Sequence, residues 1–346
     1  MSDPLSSAII RGSVAPRDLV ARVATDPWIH GWWHRPAVPL ERWNAYADAV
    51  AKQRVRGAQF AEVDDALAAW RADALERATL GVAVGRLEVV VPPSPVLPRV
   101  DDLIEEDAPP PRVGDDGVAA MTATVQRAVA NAHADGIPYL VADVDARAIE
   151  QIWALERAGF SLIDGTLTFG RRITATDATV DAPPSGGLVI RDARADDADA
   201  AATIATIAWD RYHADPMLPS AGADALNRAA VANAVQRRGA DVAWIVEDGD
   251  GVLGFTAGVV DPLLRDVLGR PTLTITVAVT AARARRRGVG RALALHAIHW
   301  AAREGLATVE VGAQLRNIVA ARTFESAGFR LLASRVTLRS WRESVA

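Results

Sequence analysis

The sequence predicts an α/β protein built as two tandem domains, and three observations predict it. The chain has 346 residues, long for one hydrophobic core and natural for two, because single domains cluster near ~100–150 residues. A proline-rich stretch, TATDATVDAPPSGG at 174–187, divides it. One segment also recurs: GIPYLVADVDARAIEQIWALERAGF at 136–160 and GLATVEVGAQLRNIVAARTFESAGF at 305–329 have the same length and the same Ala-Gly-Phe ending. Both continue into alternating, strand-like sequence, as a duplicated strand–helix–strand unit would. The expected organisation is an N-terminal domain over 1–175, a linker over 176–186 and a C-terminal domain over 187–346.

Composition narrows the function. Hydrophobic residues make up 50% of the chain, enough for two cores. The absence of cysteine excludes disulfides, thiolate metal sites and a cysteine nucleophile. Six scattered histidines argue against zinc, and no metal is expected. No apolar run approaches ~18 residues, so no membrane partner is expected. The first fourteen residues lack the basic start and apolar stretch of a signal peptide, which points to the cytoplasm. A net charge of -5 does not suggest a nucleic-acid partner. The charge is uneven, however: residues 187–346 carry a balance of +3 and the first 186 a balance of −8. An anionic ligand therefore belongs in the second half.

Along that half, the pattern reads as a strand at 188–191, helices at 195–211 and 223–238, and strands at 242–246, 253–260 and 273–279. A helix at 289–304, a strand at 308–311, a helix at 317–327 closed by Gly328, and a strand at 331–338 follow. In the first half, 91–117 (VPPSPVLPRVDDLIEEDAPPPRVGDDG) is too rich in proline for a core element and reads as a long loop. A weaker echo of the repeat lies at 61–80.

The segment that carries chemistry is 283–291, RARRRGVGR, between a strand and a helix. Gly288 and Gly290 let the backbone approach a ligand closely. Unpaired amides at the start of the next helix attract anions. Arg283, Arg285, Arg286, Arg287 and Arg291 add charge suited to phosphate oxygens. An arginine-rich run alone would more often be a solvated face; the glycines at the strand-to-helix junction point to phosphate binding.

Strand, Arg285-x-x-Gly288-x-Gly290, then helix resembles the pyrophosphate loop of the GNAT superfamily of acyl-CoA-dependent N-acyltransferases. Asn317, Ala320, Gly328 and Phe329 fit that family's strand–loop–helix signature downstream, and the order of elements from 188 to 338 matches its fold. The resemblance implies two GNAT-like domains, each a mixed, mostly antiparallel twisted sheet flanked by helices, with a diverged N-terminal copy. It implies acetyl-CoA as co-substrate, held by Val277, Ala278, Val279, Arg285, Arg286, Arg287, Gly288, Val289, Gly290, Arg291, Asn317, Ala320 and Phe324. The amides near Val277, Ala278 and Val279 would hold the thioester carbonyl as strand 273–279 parts from strand 308–311. The acceptor would be the amine of a small molecule. The rival readings are a non-catalytic CoA-binding or interaction protein and a protein or peptide N-acetyltransferase. The tandem arrangement is similar to that of mycothiol acetyltransferases and some antibiotic-pathway acetyltransferases.

The sequence departs from that family where a thiolate-protonating tyrosine often stands, because this chain has Phe324 there. Tyr212, His213 and Asp215 are the candidates for acceptor binding or proton relay, although each taken singly reads more readily as a loop residue. Strand 273–279 offers no carboxylate base, only Thr274 and Thr276, with Thr272 just before it. His296, His299 and Glu247 read as structural. Trp28, Trp32, Trp33 and Trp43, with His30 and His34, read as packing. At the N-terminal counterpart of the loop, Arg112-Val113-Gly114-Asp115-Asp116-Gly117, two aspartates would repel phosphate.

Overall fold

The computed structural model describes residues 19–24, 34, 38–73, 76, 79–93, 113–178, 188–205 and 210–342. Contacts divide the chain into two units, Met1–Ile163 with Arg335–Ala346, and Asp164–Ser334. The division therefore does not fall at the proline-rich linker. It falls inside two long strands, β5 (Ser161–Arg172) and β11 (Arg330–Trp341). Each is built of alternating residues that can cover a sheet edge, and each completes the sheet of the other half of the sequence.

The first unit contains α1 (Leu19–Ala24), α2 (Leu40–Val55), β1 (Gln59–Val63), β2 (Ala66–Asp73), β3 (Val84–Val91), α3 (Gly114–Ala134), β4 (Tyr139–Asp145) and α4 (Ile149–Arg157). Strands β1, β2 and β3 are antiparallel, β3 and β4 are parallel, and Arg335–Trp341 of β11 lies antiparallel on β4. One face of this sheet packs on α3 and α4 through Met121, Val125, Leu140 and Leu155. The other packs on α1 and α2 through Val23, Ala51 and Leu67. Trp43 is buried in α2, tilted against Tyr46 at 5.6 Å, in line with the packing role expected of it. Trp28, His30, Trp32 and Trp33 lie outside the described residues.

Two readings are corrected here. The weak echo at 61–80 is no strand–helix unit, because β1 and β2 form a hairpin turning on Asp64 and Asp65. Both have positive φ (47° and 63°), the backbone that two-residue hairpin loops demand. The end of the 91–117 loop is helix, since α3 opens at Gly114 with Asp115 and Asp116 in its first turn. Carboxylates there favour the helix N-terminus.

The second unit contains β5 from Asp164 onward, β6 (Val189–Asp192), α5 (Ala198–Ile204), α6 (Arg211–Ala214), α7 (Ser220–Val235), β7 (Val242–Asp248) and β8 (Gly251–Val260). After these come β9 (Thr272–Thr280), α8 (Val289–Arg303), β10 (Thr308–Gln314), α9 (Ile318–Ser326) and the start of β11. Strands β6 to β9 are antiparallel, β9 and β10 parallel, and β10 and β5 antiparallel. Helices α8 and α9 cover one face through Leu293, Ala297, Phe324 and Phe329; α5 and α7 cover the other through Ala201, Val231 and Phe255. Burying each large apolar side chain contributes roughly 1.5–3 kcal/mol. The helical run expected over 195–211 is shorter: α5 ends at Ile204, and Asp210 starts α6 by accepting a hydrogen bond from His213 N. The linker also begins inside this unit. Asp177 is buried and takes hydrogen bonds from Thr174 and Arg171.

The sequence repeat has a regular counterpart. β4 and β10, α4 and α9, and β5 and β11 begin at Tyr139 and Thr308, Ile149 and Ile318, Ser161 and Arg330; each pair is 169 residues apart and equal in length. In each unit the parallel pair holds for only four residues. Val84–Leu87 pairs with Tyr139–Ala142, and Thr272–Ile275 with Thr308–Val311. In each, the next residue is an extra one in its strand: Glu88 in β3 and Thr276 in β9 fall at register shifts against β2 and β8.

Candidate active site

The site in the second unit begins where β9 and β10 separate. Beyond Ile275 and Val311 the strands run on, to Thr280 and Gln314, without pairing with each other. The bulge at Thr276 falls at the same level, and it re-aims Val277, Ala278 and Val279. Gly258 lies against it on β8; a Cβ there would stand 2.9 Å from the Thr274 carbonyl oxygen. The β8 side of the bulged strand is held by Thr256, whose hydroxyl donates to the Val277 carbonyl at 2.8 Å.

A cavity of about 360 Å³ opens from this gap. Its walls include Ala278 and Val279 of β9, Gly290 and Leu293 of α8, and Phe324 of α9, with Arg285 at the loop. Asn317, Ala320 and Thr280 also reach it. The Asn317 side chain accepts from Ala320 N at 3.1 Å and so caps α9. Gly290 leaves room: a Cβ there would meet the Thr323 methyl at 3.3 Å and the Thr280 hydroxyl at 3.6 Å.

The loop is shaped for an anion. Arg286 and Gly288 both have positive φ, 63° and 79°. Ala292 is the first amide to donate into α8, to the Gly288 carbonyl at 2.9 Å. The amides of Val289, Gly290 and Arg291 therefore crown the helix without intrahelical partners. Arg285 and Arg286 are exposed. Arg283 and Arg287 are drawn instead to Asp248, at 3.3 and 3.2 Å, and Arg291 donates to the Ser326 carbonyl.

Phe324 is buried between Phe169 and Phe329, with ring centroids 6.1 and 5.9 Å away. The side chain at 324 brings no hydroxyl to the cavity. The three candidates from 212–215 have different partners. The Tyr212 hydroxyl accepts from Arg211. Asp215 is buried and accepts from Met217 N. His213 is fixed between carboxylates: Nδ1 lies 3.0 Å from both oxygens of Asp210, and Nε2 lies 3.2 Å from Asp224. Asn227 donates to Asp210 as well.

Sequence reasoning missed the rest of that cluster. Asp164, on β5, is buried, and burial pushes its carboxyl above the usual carboxylate range. Arg316 stands 3.6 Å from it and donates to the Asp210 carbonyl at 3.4 Å. Asp164 precedes the linker by ten residues, and no motif joins it to Arg316 or Asp210. The spacing Asp210-x-x-His213 was the one legible signal. His296 and His299 are structural in position: His296 packs edge-on against Trp244, and His299 bonds the Asp177 carbonyl. Glu247 is tied to Arg191. Among the described residues no group of three or more acidic or histidine side chains is placed to hold a metal ion, and no helix is long and apolar enough to cross a membrane.

Residues 202–329 match the model of the Acetyltransferase (GNAT) family. No curated protein matches the chain. Among solved structures, a GCN5-related N-acetyltransferase from Sphaerobacter thermophilus is similar over 95% of this chain and 94% of its own, with TM-score 0.55 and 14% identity. A GCN5-related N-acetyltransferase from Kribbella flavida covers 88% of this chain and 96% of its own, with TM-score 0.52 and 14% identity. A GCN5-related glucosamine N-acetyltransferase region of a fungal multi-domain GH3 β-N-acetylglucosaminidase covers 93% of this chain, which spans 37% of that one, with TM-score 0.56 and 10% identity. At these identities the likeness is one of fold.

Proposed function

We propose that the chain is an acyltransferase that moves an acetyl group from acetyl-CoA to the amine of a small molecule, at the gap between β9 and β10. One observation carries the reading. The strands part at Ile275 and Val311, and the cavity there reaches from the bulged β9 to the amides and Arg285 at the head of α8. A cavity apolar along its length and cationic at one end suits a chain ending in phosphates. Gly290 keeps the passage open.

Acetyl-CoA supplies the activated acyl group. The amides of Val289, Gly290 and Arg291, with Arg285, Arg286 and the turn at Gly288, hold the phosphate oxygens, and Arg287, paired with Asp248, adds charge beside them. Asn317, Ala320 and Phe324 line the arm. The bulged segment Val277, Ala278 and Val279 turns backbone N–H toward the gap, where it stabilises negative charge that develops on the thioester oxygen. The neutral amine attacks the carbonyl carbon, a C–N bond forms, the C–S bond breaks, and the sulfur leaves as thiolate. The amine proton passes to water. Tyr212, His213 and Asp215 belong to the acceptor side, with His213 as a positioning residue rather than a free base.

The first unit is read as a diverged copy of the second. The 169-residue recurrence and the matching bulges at Glu88 and Thr276 support this. Asp115 and Asp116 replace the loop's arginines there, so the copy is read as having no CoA site.

The test is calorimetric titration with acetyl-CoA, followed by thiol release over a panel of amines and peptides. Tight acetyl-CoA binding with release on small amines is expected. Binding without release on any amine would leave a CoA-binding protein. Release on peptides alone would make the acceptor a polypeptide.

A further inference from the structure

The second unit contains a buried carboxylate whose electrostatic needs its neighbours do not meet. The Asp164 side chain is 3% exposed, and its Oδ1 makes no hydrogen bond. Burial of the group outweighs the support it takes from the Gly165 N–H and the Arg316 charge, and a buried carboxylate oxygen without a hydrogen bond is costly. The nearest cation is Arg316, whose Nε at 3.6 Å is beyond hydrogen-bonding distance. Arg316 is itself 44% exposed, and its contact to the Asp210 carbonyl is long, at 3.4 Å. The guanidinium is loosely held.

The surroundings are fixed and acidic. Asp210 is saturated by His213 and Asn227 and cannot turn to meet Asp164. Asp224 lies on the far side of His213. Two carboxylates thus flank the imidazole of His213, and Asp164 adds a third near Asp210 and the loosely held guanidinium. An anion would be repelled here, whereas a cation would be welcomed.

The position relates the cluster to the gap. Successive residues of a strand face opposite sides, so Asp164, Thr166 and Thr168 share one face of β5. Gln314 and Gly312 lie opposite Thr166 and Thr168 on β10, and a Cβ on Gly312 would touch the Thr166 methyl. Gly312 is exposed and immediately follows Val311, the last residue paired to β9. The register of β5 on β10 therefore places Asp164 four strand residues from Thr168, which lies opposite Gly312 at the edge of the gap. At ~3.3 Å per residue that separation is on the order of 13 Å.

We propose that Asp164 binds a second, non-reacting ammonium of the acceptor, so that the substrate is a compound with two basic nitrogens about a strand segment apart. This rests on the acyl-transfer reading. Arg316 is the placeholder: it covers the carboxylate when no acceptor is bound and swings out when an ammonium takes its place. An ammonium is compact and carries three donors, so it can make the hydrogen bonds that Arg316 does not. Burial already disfavours the charged carboxylate, and a bound cation offsets that.

The probes are 1,8-diaminooctane and octylamine, titrated calorimetrically into the protein saturated with CoA. The diamine should bind at least ten-fold more tightly than the monoamine, and Asp164→Asn should bring the two within about two-fold while leaving CoA affinity unchanged. Arg316→Ala should tighten the diamine by removing its competitor. Equal affinity for the two amines, binding of neither, an Asp164→Asn protein that still discriminates, or weaker diamine binding in Arg316→Ala would each overturn the proposal. Thiol release measured on the same proteins separates the two readings. Asp164-dependent diamine binding without acetyl transfer would sink the acyl-transfer reading and leave the cation site standing. Transfer to both amines at equal kcat/KM, indifferent to Asp164, would do the reverse.

Discussion

Phe324 and Phe169 meet ring to ring, 6.1 Å apart and tilted by 48°, although 155 positions separate them in the chain. The contact makes Phe324 part of the core as well as a wall of the cavity. Loss of a positioned general acid costs about 10²–10⁴ in rate. CoA thiolate is a good leaving group near neutral pH, since a thiol pKa is about 8.5. Phe324→Tyr should therefore change turnover modestly, and Phe324→Ala should lower stability by roughly 3–5 kcal/mol. Steady-state kinetics and urea unfolding check both. A hundred-fold rise in kcat for Phe324→Tyr would show that the missing phenol cripples the enzyme.

Gly290 offers a test of the loop. Its missing Cβ faces Thr323 and Thr280 across the cavity. Gly290→Trp should abolish acetyl-CoA binding. It should also disturb the approach of α8 to α9, so Gly290→Ala is the milder partner, with intact folding and weakened affinity. Calorimetry with circular dichroism reads both effects. Undiminished affinity in a folded Gly290→Trp protein would move the phosphates elsewhere.

One CoA per chain is the expected stoichiometry. The head of α3 presents Asp115 and Asp116 where α8 presents Gly290 and Arg291. Two equivalent sites in a titration would mean that the first unit binds CoA as well.

The edge strand β6 is fastened by Arg191, which forks onto Asp197 at 2.7 and 2.8 Å and onto Glu247 at 2.9 and 2.8 Å. The hydrogen bonds from Arg191 hold both carboxyls below their ordinary values. Depressed carboxyl pKa values stabilise the fold above the unfolded value of about 4, and the gain is lost as pH falls through the lower, folded values. Arg191→Met should cost about 2 kcal/mol at pH 7, a figure discounted for partial exposure. The difference from wild type should shrink as pH drops below about 4. Urea midpoints across that range test it; a constant difference would refute the linkage.

Expressing residues 187–346 alone should give an unstable protein. That fragment lacks β5, so β10 loses its neighbour on one side, and Arg335–Trp341 loses β4. A cooperative melt for the fragment would contradict this.

Much of the second unit was legible beforehand. Alternation and helical spacing located β7 to β10, α8 and α9 within a few residues, and the glycines of 288–290 marked the turn into α8. Pairing partners were not legible. The alternating patterns of 161–172 and 330–341 announce strands, yet periodicity carries no information about which strand lies alongside. Asp164 escaped for the same reason, because its neighbours Arg316 and Asp210 are joined to it only by the register of β5 on β10. The bulge at Thr276 was equally silent, since an extra residue in a strand leaves local composition unchanged.

The passage of β5 and β11 between halves has a consequence during synthesis. On the ribosome, residues 1–163 emerge first but lack the strand that flanks β4 until 335–341 have been made. At ~5–20 residues per second that wait lasts on the order of ten to thirty seconds. Throughout it the outer side of β4 offers unpaired amides and carbonyls to any passing chain. The nascent first half is thus the vulnerable species, and holding chaperones should be found on it rather than on the second half, whose borrowed strand is already waiting when its own strands appear.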